Sequence, residues 1–350
     1  MLFNNEVVQE DLMKIISDNT IDWNMLNHKT VLVTGATGML AKYVTFVMMF
    51  LNQKCNYNIK VYILVRNAEK AHDCFGDLID NNTLTLINQD VCENINIDYN
   101  IDYIVHAAGS CSAYSIKHDP IGIIEANSTG VKNVLELARN KNVKNVLYLS
   151  TREVYGKVSD DIQMIKESDM GVLDPLDSRS CYPESKRMGE QLFKAYHDTY
   201  GIRYNVVRMA HVYGPGMALS NDGRVMADFM NDVISGKDIV MKSTGDAIRA
   251  FCYISDAIRA VFLVLLQGNT DEAYNVSNEE EPERIRDVAS QLVELDNKGL
   301  KVVYEINSDQ SGYCKYARTG LDTNKIKSLG WKPEVKLKDG MLRTLHSFNR

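Results

Sequence analysis

No two cysteines in this chain stand in a Cys-x-x-Cys spacing. The seven, at positions 55, 74, 92, 111, 181, 252 and 314, are scattered. That excludes the ligand spacing of a zinc module and the framework of a disulfide-stapled domain, so reduced thiols and no metal site are expected. An excess of positive charge is also missing. Thirty-nine Lys and Arg face 46 Asp and Glu, for a formal net charge of −7, which leaves no electrostatic footing on nucleic acid or an anionic membrane. The apolar run Tyr43 to Leu51 is far short of a membrane span, and the N-terminus lacks a basic region followed by an apolar stretch. A soluble, cytoplasmic protein is expected. Repeats, low-complexity stretches and long linkers are absent too. What is present is a chain of 350 residues with 45% apolar content, enough to fill the core of one large domain or two intimately joined ones.

Short buried strands are expected at Thr30–Thr34, Lys60–Val65, Leu84–Asn88, Ile101–Ala107, Asn145–Ser150 and Tyr204–Met209. Helical patterns lie between them, including Met39–Leu51 and Ile121–Asn140. Strands alternating with helices predict an α/β fold, a Rossmann-type doubly wound parallel sheet. Before it, residues 1–28 form a helical arm with an amphipathic stretch from Val7 to Ile16, then Trp23 and Leu26. Residues 29–209 make the dinucleotide-binding domain that carries the reactive groups. From about 210 the order becomes irregular, around Gly214-Pro215-Gly216 and Ser220 to Gly223. Residues 210–350 are expected to form mainly a smaller mixed α/β substrate-binding lobe, with some segments returning to the first domain.

The turn Thr34-Gly35-Ala36-Thr37-Gly38-Met39-Leu40-Ala41 follows a strand and opens a helix. In that context glycines let the backbone approach a pyrophosphate, and the helix N-terminus meets its charge. The second strand ends Leu64-Val65-Arg66-Asn67, without the carboxylate that would accept from ribose hydroxyls. Arg66 is placed to meet a phosphate instead, so NADP stands beside NAD as the expected cofactor. After the third strand Asp90, with Val91, either receives the adenine or simply ends the strand. Ala107, Ala108 and Gly109 offer small side chains beneath the cofactor. Asn127, inside a helix facing the sheet, serves either the site or the local backbone.

Tyr182 and Lys186 are four residues apart, on one helical face. Tyr182 is read as a general base, with Lys186 drawing its pKa toward neutrality and bonding a nicotinamide ribose. Thr151 can share a proton with the same substrate hydroxyl. Glu153 adds a carboxylate that simple alcohol oxidation does not need, and it suits chemistry at the carbon beside a new ketone. Arg152 either neutralises a substrate carboxylate or phosphate or points to solvent.

These motifs resemble the extended short-chain dehydrogenase/reductase family, the NAD-dependent epimerases and dehydratases that modify nucleotide sugars. The resemblance runs from about Thr30 to Leu345. It rests on the Thr-Gly-x-x-Gly turn, Ser150-Thr151-x-Glu153-Val154-Tyr155-Gly156, the Tyr182/Lys186 pair, Arg208 through Tyr213-Gly214-Pro215, Arg249 through Asp256, Tyr274-Asn275-Val276 and Leu329-Gly330-Trp331-x-Pro333. The stretches Asn221-Asp222-Gly223-Arg224-Val225, Arg249 to Asp256 and Ser180 to Arg187 look most like UDP-glucuronate decarboxylases, and next come the dTDP-glucose 4,6-dehydratases. The likeness implies a nucleotide-diphosphate sugar oxidised transiently at carbon 4, with a tightly bound, recycled NAD or NADP. By it, Thr151, Glu153, Tyr182 and Lys186 act at the sugar. Arg249 binds the diphosphate or assists proton return, and Arg224 and Val225 contact the nucleotide. It also implies a homodimer through a four-helix interface of 121–140 and 182–200. Arg152 stands where the dehydratases have Asp and the decarboxylases a serine, His211 where an Asn that helps hold substrate is usual, and Ala247 where Gln is common. The sugar pocket is therefore expected to be rebuilt, with Arg152 and His211 contacting substrate. Carbon-4 epimerisation and 4,6-dehydration are the alternatives within the family; a non-catalytic dinucleotide-binding regulatory protein is the alternative outside it.

Overall fold

The computed structural model describes residues 1–220, 222–306 and 320–348. Asn221 and Cys314, both named above, lie outside the described residues. Seven parallel strands form the central sheet: β1 (Thr30–Thr34), β2 (Lys60–Val65), β3 (Leu84–Asn88), β4 (Tyr103–His106), β5 (Asn145–Thr151), β6 (Tyr204–Met209) and β7 (Glu272–Val276). Their order across the sheet is β3-β2-β1-β4-β5-β6-β7. The order reverses between β1 and β4, so the carboxyl ends of these two strands frame the crevice where such sheets take ligands. Successive side chains of β1 feed two cores: Val31 and Val33 join one apolar cluster and Leu32 the other, as the two-residue strand period requires.

The longer helices are α1 (Glu6–Ile16), α2 (Met39–Cys55), α3 (Pro120–Lys141), α4 (Cys181–Tyr200), α5 (Val225–Ile234), α6 (Ile254–Gln267), α7 (Ile285–Asp296) and α8 (Leu337–Phe348). Apart from shifts of one or two residues at other ends, two boundaries and one strand differ from the sequence reading. α2 runs one turn past Leu51 through polar residues and stops where Asn56 takes a left-handed conformation, φ 54°, which Asn tolerates better than most residues. The fourth strand ends at His106 because Ala107 and Ala108 turn to donate their N–H groups to Thr34 Oγ1, at 3.2 and 3.3 Å. β7 was not anticipated as a strand; it pairs with β6 in the register Ala273↔Val206.

α6 is buried along nearly its whole length, from Ile254 to Leu266. The N-terminal segment explains why: Val8, Leu12 and Ile15 of α1 are buried in the same cluster. The Tyr253 hydroxyl donates to Asp11 at 2.8 Å, and Arg343 of α8 reaches Asp11 at 2.8 Å from the other side. Residues beyond 210 also form small two-stranded pieces, among them Ile248–Arg249 with Glu283–Arg284. Among the described residues no helix is long and apolar enough to cross a membrane, and none of the described cysteines is bridged.

Candidate active site

The glycine turn sits against the end of β4. Gly35 has φ +66°, and a Cβ there would lie 2.8 Å from the Ala107 carbonyl oxygen and from two Ala108 backbone atoms. Thr34 Oγ1 accepts from both alanine N–H groups, so its own proton goes to His106 Nδ1, 2.8 Å away. Burial, then the charge of Lys186, holds the His106 pKa down to about 3. The ring is therefore a neutral structural post. Gly38 caps α2 with no side-chain hydrogen bond, and no acidic residue stands in the first turn. The N–H groups of Met39 and Leu40 thus lack both an intrahelical acceptor and a side-chain cap, and Thr37 and Gly38 are accessible beside them. This donor set fits a pyrophosphate. Arg66 is largely exposed, with Nε 3.8 Å from Asp90 Oδ2, so both lie at one edge of the crevice. Val91 is buried and packs on Gly130, and its carbonyl accepts from Asn133 Nδ2 at 3.0 Å. Asn127 is buried, donating to Ser185 Oγ at 3.0 Å, with its Oδ1 against Gly109. It ties α3 to α4 next to Lys186.

Tyr182 and Lys186 lie in the first turns of α4, and Thr151 ends β5. The Tyr182 phenol is hydrogen-bonded to the Thr151 hydroxyl, so the structure brings these two together. The expected lowering of the phenol pKa is not found. Burial raises it well above its ordinary value, the fields of Cys111 and Glu153 add to the rise, and the Thr151 hydrogen bond and Arg224 work against it. Lys186 Nζ instead donates to the Leu149 carbonyl at 2.9 Å and lies 4.5 Å over the Tyr148 ring. Its own pKa is pushed down to about 8 by burial, against the fields of Cys111 and Glu190. Glu153 sits in the 3-10 turn Arg152–Tyr155, its N–H donating to Thr151 Oγ1 at 3.2 Å. Arg179 Nη2 holds the Glu153 carboxylate at 3.2 Å.

Arg152, His211 and Arg249 line one small cavity with Glu279, Gly320 and Leu321. His211 has φ +47°, a strained backbone for a non-glycine residue and a common mark of a functional site. Burial and the fields of Arg152, Arg249 and Arg224 hold its pKa well below the usual value, so it offers a neutral imidazole among cations. Arg224 grips Asp222 with two nitrogens, at 2.5 and 2.7 Å. It caps α5, while Val225 packs on the core.

Sequence reasoning missed Cys111, Arg179, Glu190 and Glu279. Glu190 had a signal, since it stands four residues after Lys186 on the same stripe of α4. Cys111 and Glu279 come from loops and Arg179 from the short 3-10 turn Ser178–Ser180, none with a pattern of its own.

Comparison with known proteins gives the chain's family and fold. The NAD dependent epimerase/dehydratase family matches residues 31–277. UDP-glucuronic acid decarboxylase 1 of Xenopus tropicalis is 29% identical over 327 residues, covering 93% of this chain and 73% of that protein. UDP-glucuronic acid decarboxylase 3 of Arabidopsis thaliana is 30% identical over 312 residues, 89% of this chain and 86% of that protein. Among solved structures, UDP-glucuronic acid 4-epimerase from Bacillus cereus, in complex with UDP-glucuronic acid and NAD, superposes with a TM-score of 0.75 at 22% identity, covering 91% of this chain and 98% of its own. That similarity is one of fold.

Proposed function

Because the chain belongs to the NAD dependent epimerase/dehydratase family, we propose that it binds a nucleotide-diphosphate sugar, oxidises carbon 4 transiently, and decarboxylates or epimerises it through the 4-keto intermediate. Decarboxylation of UDP-glucuronate is the reaction it most resembles. The observation that carries the reading is Glu153, one short turn from the hydrogen-bonded Thr151/Tyr182 pair. An oxidised carbon 4 acidifies the C–H beside it, and a carboxylate at that point has a proton to move.

The uncapped α2 N-terminus and the Gly35 turn would hold the dinucleotide, with Asn127, Lys186 and Tyr182 near its reactive end. NAD, when bound, accepts a hydride and returns it, so a complete cycle uses none. Thr151 and Tyr182 hold the C4 hydroxyl between them. Burial keeps the phenol protonated in the free protein, the state that delivers a proton to the C4 oxygen when the ketone is reduced. Arg224, which already acts on Tyr182 in the opposite sense, favours the phenolate needed for the outward half. Arg179 fixes the Glu153 carboxylate. Arg249 and Arg224 suit a diphosphate, because a guanidinium supplies both charge and forked donors. Arg152 and the neutral His211 would contact the sugar substituents.

The test is a panel of UDP-, GDP-, dTDP- and CDP-sugars incubated with the protein and NAD, followed by mass spectrometry and NMR. Carbon dioxide release from UDP-glucuronate, or an inverted C4 centre, is the expected result. If no sugar changes mass or configuration and the cofactor is untouched, the proposal fails and a dinucleotide-binding protein remains. A homodimer through α3 and α4 is part of the same proposal. Ile121, Ile124 and Met188 are exposed there, at 70, 45 and 53%; a monomer in sedimentation at micromolar concentration would count against it.

A further inference from the structure

Three residues of one stripe on α4 grip three consecutive residues at the end of β5. Tyr182 holds Thr151, Lys186 holds the Leu149 carbonyl at 2.9 Å, and Glu190 accepts from Ser150 Oγ at 2.5 Å. The spacing of four places them one above another on the helix. Glu190 is also closed by Arg208 of β6, Nε to Oε1 at 3.1 Å and Nη2 to Oε2 at 2.6 Å. Arg208 is buried and Glu190 half-buried, with side chains 6 and 15% exposed. Arg208 Nη1 goes on to the Tyr155 hydroxyl at 3.0 Å and the Glu167 carbonyl at 2.8 Å. Tyr155 in turn donates to Asn275 Oδ1 at 2.5 Å. A buried ion pair satisfied on all sides fixes geometry, whereas one deprived of a partner leaves a costly lone charge.

We propose that Glu190 is a positioning residue: with Arg208 it sets the end of β5 that presents Thr151, and its carboxylate sustains the ammonium of Lys186. This rests on Thr151, Tyr182 and Lys186 acting at the reacting carbon. The titratable groups around Lys186 are His106 from β4, Cys111 from the loop after it, Tyr148 from β5, and Tyr182 and Glu190 from α4. Glu190 is the carboxylate in this set. Replacing it by Gln removes a negative charge that acts on Lys186 and leaves Arg208 without its anionic partner.

For Glu190→Gln the turnover of the active nucleotide sugar should fall roughly ten- to hundredfold, the scale of a small misplacement of reacting groups, with KM changing less than about threefold. The alkaline limb of kcat should move down by about one pH unit. Glu190→Gln/Arg208→Met leaves no orphan charge, so it guards against simple misfolding, and its kcat should stay low. A folded double variant with wild-type kcat, or a single variant whose alkaline limb does not move, overturns the proposal. Should the wild-type protein convert no nucleotide sugar, the functional reading fails by itself. Calorimetry of NAD binding against pH then decides for Glu190: binding should weaken at lower pH in Glu190→Gln than in wild type, and identical profiles refute the role.

Discussion

Replacing Gly35 with Ala tests whether the dinucleotide turn is built on a contact that only glycine permits. Two costs add. At φ +66° an L-residue pays about 1–2 kcal/mol for the left-handed conformation. The new methyl would also stand 2.8 Å from backbone atoms of Ala107 and Ala108. Backbone at a strand end cannot swing aside as a side-chain tip can, so overpacking adds about 1–3 kcal/mol. Gly201 supplies the control. It caps α4 at φ +70° with nothing within 4 Å of an added Cβ, so Gly201→Ala carries the conformational cost alone. The loss of unfolded-chain freedom, about 0.4–1 kcal/mol in the other direction, is common to both and cancels in the difference. Urea denaturation should therefore show Gly35→Ala less stable than Gly201→Ala by about 1–3 kcal/mol. Calorimetry should show NAD affinity reduced at least roughly tenfold in Gly35→Ala, because the α2 N–H groups are displaced from the pyrophosphate, and unchanged in Gly201→Ala. Equal stability losses in the two variants, or wild-type NAD affinity in Gly35→Ala, would refute the reasoning.

Glu153→Gln should lower chemistry at the carbon next to C4 by roughly two to four powers of ten, while C4 inversion alone would survive it; product analysis on the active sugar nucleotide separates the two. Lys186 is cationic below its pKa of about 8, so activity should fall as pH rises through that value, and a flat profile up to about pH 10, the ordinary lysine range, would remove it from the machinery. Arg343→Ala strips Asp11, 1% exposed, of its cation and should cost about 3–5 kcal/mol in thermal or urea unfolding. Asp11 already has its pKa raised from 3.8 to about 6, chiefly by burial. Its proton therefore favours the fold fully below pH 3.8, and that contribution is lost as pH rises through 6. Without Arg343 the loss should extend to higher pH, and a variant with an unaltered stability profile from pH 5 to 8, roughly the usual plateau, would contradict this.

Six strands of the sheet and its dinucleotide turn were legible because each is a local signal: a short apolar run, then Gly35 and Gly38 where a helix begins. β7 escaped because its partner β6 lies more than sixty residues earlier and Tyr274-Asn275-Val276 has no run of its own. The α2 boundary escaped for a different reason. Periodicity marks where burial stops, at Leu51, whereas the helix stops where a residue accepts the left-handed conformation, at Asn56.

The site divides along the same line. Tyr182, Lys186 and Glu190 share a helical face that spacing alone reveals. What each holds belongs to β5, a strand whose partnership with α4 exists only in the fold. Spacing put an ammonium beside a phenol and so suggested a lowered pKa; burial, which spacing does not report, reversed the sign. The Arg152 cavity is more distant still from sequence logic. Its cations come from the 3-10 turn after β5 and from a two-residue strand at 248–249, and the imidazole comes from the bend after β6. Along the chain Arg152 and His211 read as departures from the resembled family and Arg249 as a match to it, so nothing in the sequence joined the three. Around His211, burial and then the fields of the arginines hold its pKa low, and we propose that the three residues lining the cavity serve one subsite.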